Sequence, residues 1–496
     1  MKQGLFELVK SMTQSEKRYF RIEAAKQAGD QPQLYMMLFE AIEACDDYSE
    51  KQFKELHRNA PFIGQFALKK HHLQLQIMKS LRAFNNARSA EMRVTELMQN
   101  ILILYDKGLY AHCRTAIRKA VKLSTRYEFH ALLIWLHEFQ RRILKKEKQT
   151  NMREGLEVLL QEKDDHLKNL DEKLSQLDQY DRLFIASRTT GKIPEESLNA
   201  SANFRTVLGE LYTLQSLALQ AHLRKDYLLA RDEQEKIVLL WEKHADMAKE
   251  YRQSHRTSLA NYLVLCYSTG QMARFPEYLE RIRKIPSKSF DEEAEAFQNL
   301  SYLELLYFTN TGQIEGGLSL TNQISKGLKR YARKINVARH LVIRFNVASL
   351  CFIAADFKQS LTWCNSILQV SKTEHRRDIQ GLVRIIQLLI HYELDNHELL
   401  EYQLRTTREY FGKQKEMQPE ERLCLAQFRK LLKTVDATQR TEVCTEWLRK
   451  LEELIDSGST WQAAELCSLW LKANIQGRMI VEIAKEELGE KDEQKK

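Results

Sequence analysis

The sequence predicts an all-α fold, an N-terminal helical bundle followed by an α-solenoid of helix-turn-helix pairs, and three observations carry that prediction. Turn-formers are scarce: the 496 residues hold 17 Gly and 6 Pro, where average usage would supply about 35 and about 25. Elements are therefore long and tight turns few, which favours helices over many short strands. Apolar residues recur at spacings of three and four rather than in alternation. From position 204 onward a small polar break between two amphipathic segments returns with a period of about forty residues, the mark of stacked helix pairs.

Leu5, Leu8, Val9 and Met12 fall at i, i+3, i+4 and i+7, one apolar stripe on a short helix. Thr13 and Glu16 then fit the T-x-x-E capping box that opens a second helix. On it Tyr19, Phe20 and Ala24 are expected to face a core, while Lys17, Arg18 and Arg21 share another face. That face is a candidate secondary basic surface, although three charges are too few to establish phosphate binding. Helices are expected near 2–11, 14–27, 33–44, 50–59 and 62–85, with Pro61 in the first turn of the last. The pair 50–59 and 62–85, joined by a short turn, also admits a helix-turn-helix reading, a pattern shared by many helical hairpins. Residues 1–90 thus form the predicted bundle.

Residues 91–186 read as long helices with a short coiled-coil-like hairpin. Leu156 and Leu160 precede a seam of Leu167, Leu170, Leu174 and Leu177, whose 3-4-3 spacing is that of a coiled coil. Lys163 and Asp181 interrupt it, which favours pairing within the chain over a dimer zipper. Residues 187–203, with Gly191, Pro194 and several small polar side chains, read as a linker.

Residues 204–411 hold the repeats. Anchored on Tyr227, Met272, Ile314, Phe357 and His397, their spacings are 45, 42, 43 and 40. Lys225-Asp226-Tyr227-Leu228-Leu229-Ala230 and Ala355-Asp356-Phe357-Lys358-Gln359-Ser360 resemble the G-D-Y-x-x-A turn of tetratricopeptide-like repeats. Three residues past the anchor stand Ala230, Gly317 and Ser360, with Cys113 after Tyr110 in an earlier copy. A small residue there lets paired helices approach closely. Phe275 and Leu400 depart from that rule, and the period exceeds the usual value of about 34, so the repeats are degenerate and long.

The segments Ser15–Phe20 (SEKRYF), Lys79–Phe84 (KSLRAF) and Ile385–Phe411 resemble a family of Bacteroidota proteins of similar length. The resemblance implies a cytoplasmic helical-repeat protein and carries no catalytic residues to transfer. Residues 412–489 are expected to cap the array, with Pro419 opening a helix and further helices near 438–456, 460–473 and 475–488. Residues 490–496 form a charged tail.

The formal charge of +9 is mild for this length and permits an acidic partner without demanding one. Eight dispersed cysteines without a C-x-x-C pair read as reduced thiols of an intracellular protein. No apolar run approaches the ~18 residues a membrane span needs, and Glu7 and Lys10 break the N-terminal apolar stretch; a cytoplasmic location is the expectation.

The sequence offers no catalytic set. H-E-x-x-H, the phosphate-cradling G-x-x-x-x-G-K-[ST], G-x-G-x-x-G and the G-x-S-x-G elbow are all absent. His130/His137 and His391/His397, seven and six apart, lack Cys or carboxylate company in a zinc pattern. No metal, cofactor or catalytic residue is expected. The strongest charged feature is Lys326, Lys329, Arg330, Arg333 and Lys334, which share one helical face and form the candidate partner-binding strip. Arg141, Arg142, Lys145, Lys146 and Lys148 make a second cluster. Either reads as a soluble exterior or as a docking strip for an acidic peptide or for nucleic-acid phosphates. The expected function is a non-enzymatic scaffold or adaptor holding a protein or peptide on its repeats. The alternative is a nucleic-acid-binding regulator that uses the N-terminal helices, with the repeats as sensor. No membrane partner is expected.

Overall fold

Among the residues described, every regular element is helical. The computed structural model describes residues 4–27, 34–45, 49–147, 152–189, 203–370, 376–412, 417–457, 461 and 463–493. Most of the 187–203 linker and the last three residues of the tail lie outside the described residues. The chain divides into two compact units, Met1–His255 and Arg256–Lys496.

The first unit opens with α1 (Gly4–Ser11), α2 (Gln14–Gln27), α3 (Leu34–Ala44), α4 (Glu50–Leu56) and α5 (Phe66–Asn85). The apolar stripe is confirmed: Leu5, Val9 and Met12 are buried, with Phe20 and Ala24 of α2 in the same core. The capping box is present. The Thr13 amide donates to Glu16 Oε2 at 2.8 Å, and the Glu16 amide donates to Thr13 Oγ1 at 3.2 Å. Two expectations fail here. Helix α4 stops at Leu56 and α5 begins at Phe66, so residues 57–65 separate them and no short turn joins the pair. Pro61 accordingly sits in that connection and not in a first helical turn. The turn residues between His57 and Gln65 bend the chain so that Phe62 enters the core beside Phe53.

Next come α6 (Ala90–Asp106), α7 (Tyr110–Arg126), α8 (His130–Glu147), α9 (Met152–Thr189), α10 (Val207–Leu223), α11 (Tyr227–Lys243) and α12 (Ala245–Glu250). Consecutive helices pack on one another, and α9 lies against both α8 and α10. The seam at 156–177 belongs to one uninterrupted helix of 38 residues. That helix packs on α8 and α10 of the same chain, with Leu170 and Leu177 of the seam half-buried and Leu160, Leu167 and Leu174 exposed.

Then follow α13 (Arg252–Ser268), a 3₁₀ turn at Met272–Arg274, α14 (Phe275–Lys284), α15 (Phe290–Asn310), α16 (Ile314–Arg330), α17 (Val337–Ile353), α18 (Phe357–Leu368), α19 (Arg377–Glu393) and α20 (His397–Gly412). The last are α21 (Pro419–Lys433), α22 (Ala437–Asp456), α23 (Ala464–Gln476) and α24 (Ile480–Glu493). Pro419 stands at the first position of α21, where its missing N–H costs nothing. Helix α24 runs four residues into the predicted tail.

The polar breaks are one local structure used repeatedly. Gly108, Lys225, Gly270, Gly312, Ala355 and Asp395 all have φ between 58° and 75°, and each stands two residues before an anchor. After four of them the next residue's own amide, that of Asp226, Gln271, Asp356 and Asn396, donates to the carbonyl five residues back, at 3.0, 2.7, 2.9 and 3.1 Å. This is the Schellman closure of a helix. Asp226 and Asp356 then cap the next helix, each accepting a backbone amide at 3.1 Å. The small residues three past the anchor are buried: Ala230, Ser360 and Cys113 have no exposed surface. At Gly317 an added Cβ would lie 2.8 Å from Leu350 Cδ2 and 3.1 Å from Phe308 Cβ. In the second unit α17 packs between α15 and α19 as well as on its pair partner α18, so the first helices of successive pairs share one face. Helices α23 and α24 also reach α17. Indole–carboxylate pairing ties α23 to the end of α19: Trp470 Nε1 donates to Glu393 Oε1 at 2.6 Å.

Candidate binding pocket

The first-helix face of the second unit is not filled completely. Between α13, α15, α17, α19, α23 and α24 lies a pocket of about 370 Å³. Its floor is apolar: Phe345, Ile353, Ile379 and Leu469 are buried side chains. Its polar groups come from four separate helices and one loop. Tyr267 stands on α13, Tyr302 on α15, Arg339, Asn346 and Ser349 on α17, Glu465 on α23, and Arg376 just before α19. The period-3.6 geometry of α17 aligns Arg339, Val342, Asn346, Ser349 and Ile353 along one side of the helix.

Arg339 is exposed and its guanidinium lies 5.6 Å from the Tyr302 ring centre. Among the described residues it has no ion-pair partner. Arg376 is held by Asp378, with Nη2 to Oδ2 at 2.6 Å and Nε to Oδ1 at 3.0 Å. The Ser349 hydroxyl is buried and, among the described residues, finds no hydrogen-bond partner, an arrangement that costs free energy unless something else satisfies it. Burial pushes the Tyr267 phenol up to about 12, with Glu465 adding to it. Burial also raises Tyr302, against the opposing pull of Arg339 and Arg376. Both phenols are therefore proton donors near neutral pH. Beside the carboxylate of Glu465, the pocket presents two guanidinium groups and O–H donors over an apolar floor, which suits an anionic or carbonyl-bearing group with an apolar body.

No family model, curated protein or solved structure matches this chain.

The charge strips predicted from sequence lie elsewhere. Of the five-residue strip, Arg330 pairs with Glu293 at 2.7 Å and Lys334 with Asp291 at 2.9 Å. Both acids lie in the first turn of α15. Lys326, Lys329 and Arg333 are exposed. The strip thus meets the acidic start of a neighbouring helix and does not border the pocket. On α2, Lys17 is only 7% exposed and lies 3.2 Å from Glu43, which also pairs with Arg21. Arg18 alone of that trio is exposed. In the second cluster Arg141 and Arg142 both pair with Glu138 at 3.3 and 3.2 Å. Lys145 and Lys146 lie on the last turn of α8, and Lys148 lies outside the described residues.

His130 and His137 do converge, on a third histidine that spacing alone does not reveal. His166 of α9 brings its Nδ1 to 3.3 Å from His130 Nδ1, and its ring stacks on that of His137 with centres 5.2 Å apart. Burial lowers His130 to about 4, helped by His166 and Lys173. Burial also lowers His166, with His137 acting in the same direction. Among the described residues no group of three His, Cys, Asp or Glu side chains is arranged to hold a metal ion. The His397 side chain lies outside the described residues, so the His391/His397 pair has no geometry to report. The eight cysteines are free thiols, seven of them buried. Burial pushes Cys351 and Cys364 up to about 12, far from thiolate chemistry. No described helix is long and apolar enough to cross a membrane.

Proposed function

We propose that this chain is a non-enzymatic binding protein, tetratricopeptide-like in its repeats, whose second unit holds an acidic peptide segment of a partner protein on its first-helix face. One observation carries the reading: Arg339, without an internal ion-pair partner among the described residues, stands at a polar-rimmed pocket that also contains an unsatisfied buried serine hydroxyl. A volume of about 370 Å³ accommodates a few side chains and not a whole domain. An acidic side chain would reach Arg339 and Arg376, and its backbone carbonyls would meet the Tyr302 and Ser349 hydroxyls. The strip at Lys326 and Lys329 on α16 and Arg333 in the turn after it then extends the positive surface as a secondary contact. The rival nucleic-acid reading loses support because Lys17 and Arg21 are engaged by Glu43. The proposed location is cytoplasmic.

The test is fluorescence anisotropy with a fluorescein-labelled peptide of alternating Glu and Leu, read against Arg339→Glu. Replacing a charge-assisted contact by a repulsive one should weaken binding at least about tenfold. Equal binding by the wild-type chain and the variant removes the pocket from the function. Retention on duplex DNA that falls steeply with salt, in the absence of peptide binding, favours the nucleic-acid reading instead.

A further inference from the structure

The long helix α9 carries a second surface that the pocket does not use. Its inner side is fully engaged. His166 meets His130 and His137 of α8, Glu172 accepts from the Thr206 amide at 3.2 Å, and Gln176 accepts from the Thr213 hydroxyl of α10 at 2.9 Å. Leu159 and Leu183 are buried there. The seam leucines do not all follow. Leu170 and Leu177 are half-buried. Leu160, Leu167 and Leu174 are 44%, 44% and 46% exposed.

These three are seven residues apart, so they form one column along the helix, with exposed Ile185 continuing its line. The column extends about 21 Å from Leu160 to Leu174 at the helical rise. Beside it runs a second column at the same spacing, Glu157, Asp164, Asp171 and Asp178, all four exposed. Glu157 pairs with Arg153 and Asp164 with Lys163, both at 3.0 Å. Among the described residues Asp171 and Asp178 have no ion-pair partner. Scattered surface leucines are ordinary, but a leucine column flanked by an acidic column in heptad register is the half-interface of a coiled coil.

We propose that this flank of α9 docks a cationic amphipathic helix of a partner protein, its leucine-like residues on Leu160, Leu167 and Leu174 and its lysines or arginines on Asp171 and Asp178. Charge decides between occupants. An antiparallel pair of α9 helices from two copies would bring the acidic columns face to face, which like-charge repulsion penalises. A parallel pair would set each acidic column against the edge that already packs on α8 and α10. A cationic helix meets neither obstacle. The surface lies in the first unit and does not depend on the pocket of the second.

The probe is a labelled synthetic helix with leucines at its heptad seam and lysines on both flanks, titrated against the full chain by anisotropy. Two control peptides keep the pattern but carry glutamates on the flanks, or serines in the seam. The Leu–Lys peptide should bind, and the two controls should bind at least about tenfold more weakly. The exposed triple substitution Leu160→Gln, Leu167→Gln, Leu174→Gln should weaken Leu–Lys binding about tenfold or more, and Asp171→Lys with Asp178→Lys about threefold or more. Arg339→Glu should leave this binding unchanged, which separates failure here from failure of the pocket reading. Circular dichroism verifies folding, and Leu167→Gln alone replaces the triple variant if that does not fold. The proposal is overturned by no Leu–Lys binding at about 100 µM, by undiminished binding to the leucine variant, or by equal binding of the serine control. Sedimentation showing a dimer that the leucine substitutions dissociate assigns the flank to a second copy and likewise overturns it.

Discussion

A single hydrogen atom explains the choice at position 317. Gly317 on α16 faces Leu350 on α17 and Phe308 on α15, and a Cβ there would meet the Leu350 side chain at 2.8 Å. Leu350 has no exposed surface and cannot move aside, and Phe308 on the other side is half-buried. Gly317→Val should therefore destabilise the chain by roughly 2 kcal/mol through overpacking, more than the gain in helix propensity returns. Chemical denaturation of the variant measures this, and a midpoint equal to or above the wild-type value contradicts it. The same crowding was legible in the sequence as a recurring small residue three past each anchor. What the sequence did not carry is which neighbour imposes it, because Leu350 and Phe308 belong to other helices. Phe275 and Leu400, the two large exceptions, are both fully buried, so those units accommodate bulk by packing differently.

At the scale of the element, the recurring unit is a Schellman turn followed by an aspartate or polar cap. Three of its left-handed positions are glycines, and three are Lys225, Ala355 and Asp395. A side chain at positive φ costs roughly 1–2 kcal/mol, partly offset by the greater unfolded-state freedom of glycine, about 0.5–1 kcal/mol. Ala355→Gly is thus expected to stabilise by about 0.5 kcal/mol, while Asp356→Ala, one residue later, removes a cap and should cost about 1 kcal/mol. Opposite signs at adjacent positions are a demanding outcome for thermal unfolding; two losses would show that the turn is held by something other than its own backbone closure. The repeat spacing was readable from these turns because their chemistry is local. The candidate pocket was not, since its polar groups arrive from helices nearly two hundred residues apart, Tyr267 to Glu465. The pairing of the basic strips was hidden for the complementary reason. Cations on one helical face are visible in sequence, but Glu43 and the acidic first turn of α15, which engage Lys17, Arg21, Arg330 and Lys334, are tertiary neighbours.

For the molecule as a whole, acid sensitivity follows from buried and half-buried histidines in both units. Burial lowers His130 to about 4 and also lowers His166, His340 and His391. Lys173 and His137 reinforce this around the first pair, and Arg344 around His340, while Glu162 and Asp165 oppose it at His166. In the unfolded chain each imidazole returns to about 6.5. Between these values the unfolded state binds more protons, so stability is complete above about pH 6.5 and declines as pH falls through the folded values. Ion pairing holds Glu50 and Glu446 down to about 2, so the stability these two contribute is lost mainly below about pH 4.5, beneath the histidine window. Glu421, raised by burial, acts in the opposite sense, but it is one group against four. The melting temperature should therefore fall by roughly 5 °C between pH 7.5 and pH 4.5 at constant ionic strength. In His130→Leu, which packs in the same space and cannot titrate, the fall should be visibly shallower. A melting temperature that is level across that range, or a variant with the wild-type slope, would mean that these rings gain protons without leaving their places in the fold.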